Sequence, residues 1–212
     1  MTGKARTDHR PGRARDAQAT RAALLRAATA VFADDGYAGA RVDAIARRAR
    51  VNKRMIYAYF GDKQGIYREV LAARLAVPPF SKDEHADPRA AVTALVRWYF
   101  HLLSDDPAFA RLLAWGLLSG DAHGRAIMRA SAAPALDFLT GVIRRGVASG
   151  AFRSDANPEM IATTLVSLCL GYFLQHDAMV AARGPRGRWT DEAFLEGLYR
   201  VVFDGIAGRG AA

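Results

Sequence analysis

With 212 residues, 51% of them hydrophobic, the chain can bury a sizeable core as one large domain or two modest ones, and its 24% charged content is that of a soluble globular protein. The formal charge of +9 is unevenly placed: residues 1–76 carry 16 Lys and Arg against 7 Asp and Glu, whereas residues 77–212 carry 14 of each. A merely solubilising surface would spread the excess, so its confinement to the first third marks a surface that meets a polyanion.

Strand-type alternation never persists, while apolar residues recur at i, i+3, i+4 and i+7, which predicts an all-α chain of about nine helices. Residues 1–15, with Lys4, Arg6, Arg10, Arg13 and Arg15 around Pro11 and two glycines, read as a disordered basic arm of the kind that reaches into a minor groove or simply trails in solvent. The first helix is expected from about Asp16 to Asp35, with Leu24, Leu25, Ala28, Val31 and Phe32 on one face and Gly36 as its left-handed end. Arg21 and Arg26 make this segment amphipathic, unlike the uncharged core of a secretory leader. The second helix, Val42–Ala49, turns Val42, Ile45, Ala46 and Ala49 inward. Asn52 is placed to cap a third helix, Lys53–Phe60; Gly61 ends it, and Asp62 caps a fourth over Lys63–Ala76.

Pro78, Pro79, Ser81 and Pro88 then mark a loop and a domain boundary, separating the arm 1–15 and a helix-turn-helix domain 16–76 from a helical domain 77–212. A fifth helix is expected over Arg89–Leu103, and a sixth from near Pro107 to Ser119-Gly120, with Asp105-Asp106 as its cap. The seventh lies within His123–Ala148, and Pro134 either kinks it or sits in a first turn begun at Ser131. Asn157-Pro158 opens an eighth, about 158–182. Its uncharged run Met160–His176 has 17 residues and includes Thr163, Thr164 and Gln175, which is short and polar for a membrane span and suits a subunit interface. After the loop at Gly184-Pro185-Arg186-Gly187, Thr190 caps a ninth helix ending near Gly205, and Ala207–Ala212 should be loose. A lone cysteine, Cys169, rules out an intrachain disulfide and fits a reducing cytoplasm.

The second and third helices, joined by a turn of about four residues, have helix-turn-helix spacing. Ala46 is small where they must cross, and Val51 is apolar where the turn must plug a small core. The exposed start of the third helix, Lys53-Arg54-Met55, has side chains long enough to reach base edges in a major groove. Tyr57 and Tyr59 lie on a different side from Ile56 and Phe60, and a phenol there can donate to a phosphate while its ring packs on the scaffold. Lys63 suits a second phosphate.

These stretches, Gly36-Tyr37, Val42-Asp43-Ala44-Ile45-Ala46-Arg47-Arg48-Ala49 and Val51 through Lys63, resemble the DNA-binding domain of the TetR family over about Ala22–Leu71. The Ile-Tyr-x-Tyr-Phe-x-x-Lys element after a helix-turn-helix is its most specific part, and Gly150–Asp155 before Asn157-Pro158-Glu159 resembles the bend before the eighth helix of many members. The resemblance implies a homodimeric, all-helical repressor whose variable C-terminal domain binds a small inducer. Two positions depart from the pattern. Ala40 and Arg41 stand where the family has a capping Ser or Thr, with Arg41 able to replace the phosphate contact by charge, and Arg50 stands at the family's turn glycine.

In the C-terminal domain most aromatics are expected in the core. His101 and His176 are the leading polar anchors for an apolar effector, with Phe100, Trp115, Phe138, Cys169 and Tyr172 as further candidates. Leu168 and Gly171 on the eighth helix and Phe194, Leu198 and Val202 on the ninth are the candidate dimer surface, unless they pack within one subunit. Enzyme motifs such as G-x-S-x-G, G-x-x-x-x-G-K, H-E-x-x-H and C-x-x-C are absent, so neither a catalytic role nor a cofactor or metal is expected. The reading is a ligand-responsive repressor of a near-palindromic operator. Its rival is a DNA-binding dimer, architectural or activating, that answers no small molecule.

Overall fold

The computed structural model describes residues 11–76, 87–118, 120–184 and 189–206, and among them it contains nine helices and no β-strand. The first is α1, Pro11–Gly39. Its start corrects the expected arm: Pro11–Arg15 are helical, because proline fits a first turn and the Arg, Ala and Gln residues that follow are good helix formers. Residues 1–10 of that arm lie outside the described residues. Near its end α1 breaks at Gly36, whose φ of 67° and ψ of 175° suit glycine alone.

α2 (Val42–Ala49), α3 (Arg54–Phe60) and α4 (Lys63–Leu75) follow within a residue of expectation. The Asn52 side chain accepts from the backbone N–H of Arg54 at 2.9 Å, and Asp62 accepts from that of Gly65 at 2.7 Å, so both expected caps form. Leu24, Ala28 and Phe32 of α1, Ile45 of α2, Ile56 of α3 and Ile66 of α4 are fully buried together.

The larger part comprises α5 (Pro88–Asp105), α6 (Pro107–Leu118), α7 (Ala122–Ala148), α8 (Pro158–Arg183) and α9 (Asp191–Ile206). Each has a side-chain cap: Asp87, Asp106, Asp121, Asn157 and Thr190 accept from backbone N–H groups of the first turns. α7 is one continuous helix with Pro134 inside it, which decides the question the sequence left open. Pro78, Pro79, Ser81, most of the Gly184–Gly187 loop and the tail Ala207–Ala212 lie outside the described residues.

The two parts share one continuous core. α6 packs along α1, and α4 packs against α7. Trp115 of α6 fastens the first contact: its indole Nε1–H donates to the Ala33 carbonyl at 3.1 Å, and its ring lies where a β-carbon on Gly36 would come within 3.2 Å. Arg74 of α4 meets Asp106 at 2.6 Å, so the cap of α6 is also tied to the reading half.

Candidate nucleic-acid interface and effector cavity

α3 is oriented by what it buries. Ile56 is fully buried and Phe60 nearly so, which turns Lys53, Arg54 and Tyr57 to solvent, Tyr57 remaining 50% exposed. Met55 and Tyr59 are half-buried against the core, with the Tyr59 ring 6.1 Å from that of Phe60. Arg41, Arg47, Arg50 and Asn52 are exposed on the neighbouring turns, so the start of α3 lies in a field of cations. A polyanion meeting this end finds long donors at its centre and guanidiniums around it.

Two side chains in this region have partners that the sequence did not reveal. The Lys63 ammonium donates to the carbonyls of Tyr37, Ala38 and Ala40 at 2.9, 3.4 and 3.2 Å, and sits 4.6 Å from the centre of the Tyr37 ring. It thereby satisfies the carbonyls freed where α1 ends. In the absence of DNA, Lys63 thus ties the start of α4 to the end of α1 beside α3. Lys53 meets Asp43 of α2 at 3.0 Å, and hydrogen bonding to that carboxylate holds its ammonium above the usual pKa. Asp43 therefore competes with DNA for Lys53. Asp43→Asn should tighten operator binding severalfold and steepen its salt dependence, read by anisotropy titration at two ionic strengths; unchanged affinity would remove Asp43 from the interface.

The effector candidates read from sequence are scattered. Phe100 and Cys169 are fully buried core residues, and burial pushes the Cys169 thiol up to about 12, so it is inert. The Tyr172 hydroxyl donates to Asp191 at 2.9 Å, which pins α8 to the start of α9, and burial with that carboxylate raises its pKa to about 12. His101 is exposed, Phe138 packs on the core, and Trp115 joins α6 to α1. The His176 ring lies 5.1 Å from that of Tyr172 at a tilt of 54°, and its Nε2 has no partner among the described residues.

None of these seven lines the apolar cavity between α4, α5, α6, α7 and α8, which holds about 320 Å³. Leu75, Leu95, Trp98, Tyr99 and Leu113 form one side of it. A stripe on α7 running from Arg125 through Met128, Arg129 and Ala132 to Leu139 forms another, closed by Val166 and Leu170 of α8. The sequence signal was there, since Arg125, Met128, Arg129, Ala132, Leu136 and Leu139 recur at helical spacing.

The candidate dimer residues divide. Leu168 is exposed and Gly171 half-buried on a face of α8 that also presents Thr164, Gln175 and Met179 at helical spacing. Leu198 and Val202 are buried, and Phe194 stacks on Tyr172 at 4.3 Å, so these three pack within the subunit and not on its surface. The exposed face of α9 is instead Glu196, Gly197, Arg200 and Val201.

A family model described as bacterial regulatory proteins of the tetR family matches residues 24–70, and one described as the tetracyclin repressor-like C-terminal domain matches residues 88–204, more than half of the chain. The chain belongs to the TetR family. The HTH-type transcriptional repressor NicS of Pseudomonas putida is 34% identical over 168 residues, covering 76% of this chain and 78% of that protein. Among solved structures, the hemolysin II transcriptional regulator HlyIIR superposes with a TM-score of 0.68 at 18% identity, covering 91% of this chain and 99% of that one. FadR from Bacillus subtilis, solved with stearoyl-CoA, gives a TM-score of 0.68 at 19% identity, covering 87% and 98%. These two similarities show the fold alone.

As a TetR-family member the chain is a DNA-binding transcriptional regulator and not an enzyme. No cluster of potential metal ligands occurs among its described residues. Its two departures from the family pattern have structural consequences. Arg41 has extended dihedrals at the N-cap of α2 and supplies no side-chain cap. Arg50 adopts φ 56° and ψ 39°, and its N–H and that of Val51 close the end of α2 on carbonyls that include Ala46. The left-handed conformation of this TetR turn is thus kept with an arginine in it, at a strain of about 1 kcal/mol. Arg50→Gly should leave the melting temperature within about 2 °C, because relief of the strain is offset by the freedom glycine adds to the unfolded chain; a larger fall in calorimetry would mean that the turn carries no strain.

Proposed function

We propose that the protein is a homodimeric, cytoplasmic repressor that binds a near-palindromic operator through two copies of α3 and is released by a small-molecule effector held in the C-terminal helices. The observation that carries this reading is the start of α3, where Lys53, Arg54 and Tyr57 face solvent because Ile56 and Phe60 are buried beneath them. Arg54 and Lys53 take base edges, Tyr57 and Arg41 take phosphates, and the boundary between the reading and sensing domains falls near residues 77–86. The second copy seats on α8. α7 and α8 have the length and composition of membrane spans, yet α7 is built into the core. α8 presents Thr164, Ser167 and Gln175 along its open face, which suits another α8 better than lipid.

The test is selection of fragments from the protein's own genome, followed by footprinting. Two protected half-sites about 34–36 Å apart are expected on one face of the duplex, with affinity falling steeply as salt rises. Equal affinity for random duplex would end the reading. The cavity of about 320 Å³ favours a ligand-responsive protein over a dimer that answers no small molecule.

A further inference from the structure

We propose that the effector is an uncharged, largely apolar molecule with one carbonyl-type acceptor, and that the Tyr99 hydroxyl donates to that acceptor. The inference rests on the effector reading above and narrows it to a chemical class. Tyr99 of α5 lines the cavity and is partly buried against the core, yet its hydroxyl makes no hydrogen bond among the described residues. The other two tyrosines of this half both have fixed acceptors: Tyr172 donates to Asp191 at 2.9 Å and Tyr199 to the Thr93 carbonyl at 3.1 Å. Buried phenols find a partner as a rule, so an acceptor brought by a ligand completes Tyr99. Trp98 on the same wall offers only an N–H, which makes this wall a better donor than acceptor.

The surrounding walls select the rest of the molecule. Leu75, Leu95, Leu113, Leu139, Val166 and Leu170 give it an aliphatic lining, and the α7 face from Arg125 to Leu139 runs for about 21 Å, so the space is drawn out and not round. No Asp or Glu lines it among the described residues, so a cationic head finds no counter-ion there. Of the two arginines on the wall, Arg125 already has a partner and Arg129 is exposed to solvent. Tyr99 itself reports how the inner wall treats charge. Burial, and after it the nearby Cys169 thiol, hold its phenol well above the ordinary tyrosine range, so it stays a neutral donor. An anion placed beside it would exchange its hydration for one uncharged hydrogen bond, whereas a ketone, ester or lactone oxygen has far less hydration to lose. The volume sits at the low end of small-ligand cavities, which suits one slender body with a single polar group.

The experiment uses the full chain with its selected operator and three probes of one shape: 4-phenyl-2-butanone, 3-phenylpropionate and butylbenzene, which present a ketone, a carboxylate and no polar group. A second shape comes from 2-octanone and heptanoate. Calorimetric titration and release of labelled operator are read in parallel. Both ketones should bind at least about tenfold more tightly than their carboxylates and release the operator. Tyr99→Phe should weaken the ketones about fivefold, with the affinities for butylbenzene and for operator unchanged. The carbonyl stretch of bound 4-phenyl-2-butanone should lie at lower frequency in the wild type than in Tyr99→Phe; should that variant lose its fold, the wild-type band against the ketone in hexane carries the same readout. Ala132→Phe, which fills the cavity from α7, should weaken every probe. Ketone binding that Tyr99→Phe leaves unchanged, or weakens no more than it weakens butylbenzene, would overturn the role of Tyr99. Carboxylates that bind as tightly as the ketones would overturn the uncharged class. Failure of both ketones would overturn the proposal, and binding of butylbenzene with release of the operator would then show that ligand response itself survives.

Discussion

Replacing Lys53, Arg54 and Tyr57 together by alanine should abolish operator binding and leave the fold and oligomeric state unchanged. All three side chains are exposed, so their removal should shift stability by no more than about 0.5 kcal/mol. The effect on DNA is of another size. A good base contact discriminates by about 1–3 kcal/mol, and the proposed two-fold dimer would present Lys53 and Arg54 twice, so the loss should reach about a thousandfold or more. The slope of log affinity against log salt should also fall by about one for each phosphate contact removed. Anisotropy titration against operator and random duplex, beside circular dichroism, gives all three readouts. A variant that still prefers its operator would place the reading surface elsewhere.

Trp115→Ala should do the opposite: operator binding survives and the response to effector is lost. Trp115 is the mechanical joint between the halves, with its indole N–H on the Ala33 carbonyl at 3.1 Å and its ring against Gly36 at the break in α1. Its neighbour Gly116 lines the cavity so closely against Met128 that a β-carbon would collide with the thioether. A ligand that displaces Met128 therefore acts on α6 one residue from the contact that holds α1. Coupling of this kind is worth about 1–3 kcal/mol, or about 5–150-fold in affinity. The ratio of operator affinities with and without effector should fall to one in Trp115→Ala, and Trp115→Phe, which keeps a ring but no donor, should fall between. Full induction in the alanine variant would move the route to α4 and α7.

What the sequence disclosed, and what it hid, follows from the range of each interaction. Helices α2 to α4 and their caps were legible because Asn52 and Asp62 act on backbone two or three residues away. The family resemblance was legible for the same reason, being carried by a local run from Val51 to Lys63. Partners far along the chain were not. Lys63 reaches back more than twenty residues to the end of α1, so a side chain read as a phosphate contact gave no sign that it also clamps three carbonyls. Trp115 finds Ala33 across 82 positions, so an aromatic that joins two helices read as a pocket wall. Leu198 and Val202 had the apolar spacing of an interface, but spacing alone does not distinguish a face turned to a partner from one turned to its own core.

Pro134 gives α7 a property that its unbroken outline conceals. Proline has no N–H to offer the carbonyl of Ala130, so the helix lacks one rung of its ladder at that level and bends there more readily than elsewhere. Beyond that rung Leu139, Val142 and Ile143 are sunk in the interior and act as an anchored root. Before it lie the two arginines of the cavity and Gly124, packed so tightly beneath Tyr37 that an added β-carbon would stand 3.0 Å from it. A shift of that first segment, whose Ile127 and Met128 are also buried, is thus passed through Gly124 to the ring that also carries the Lys63 clamp.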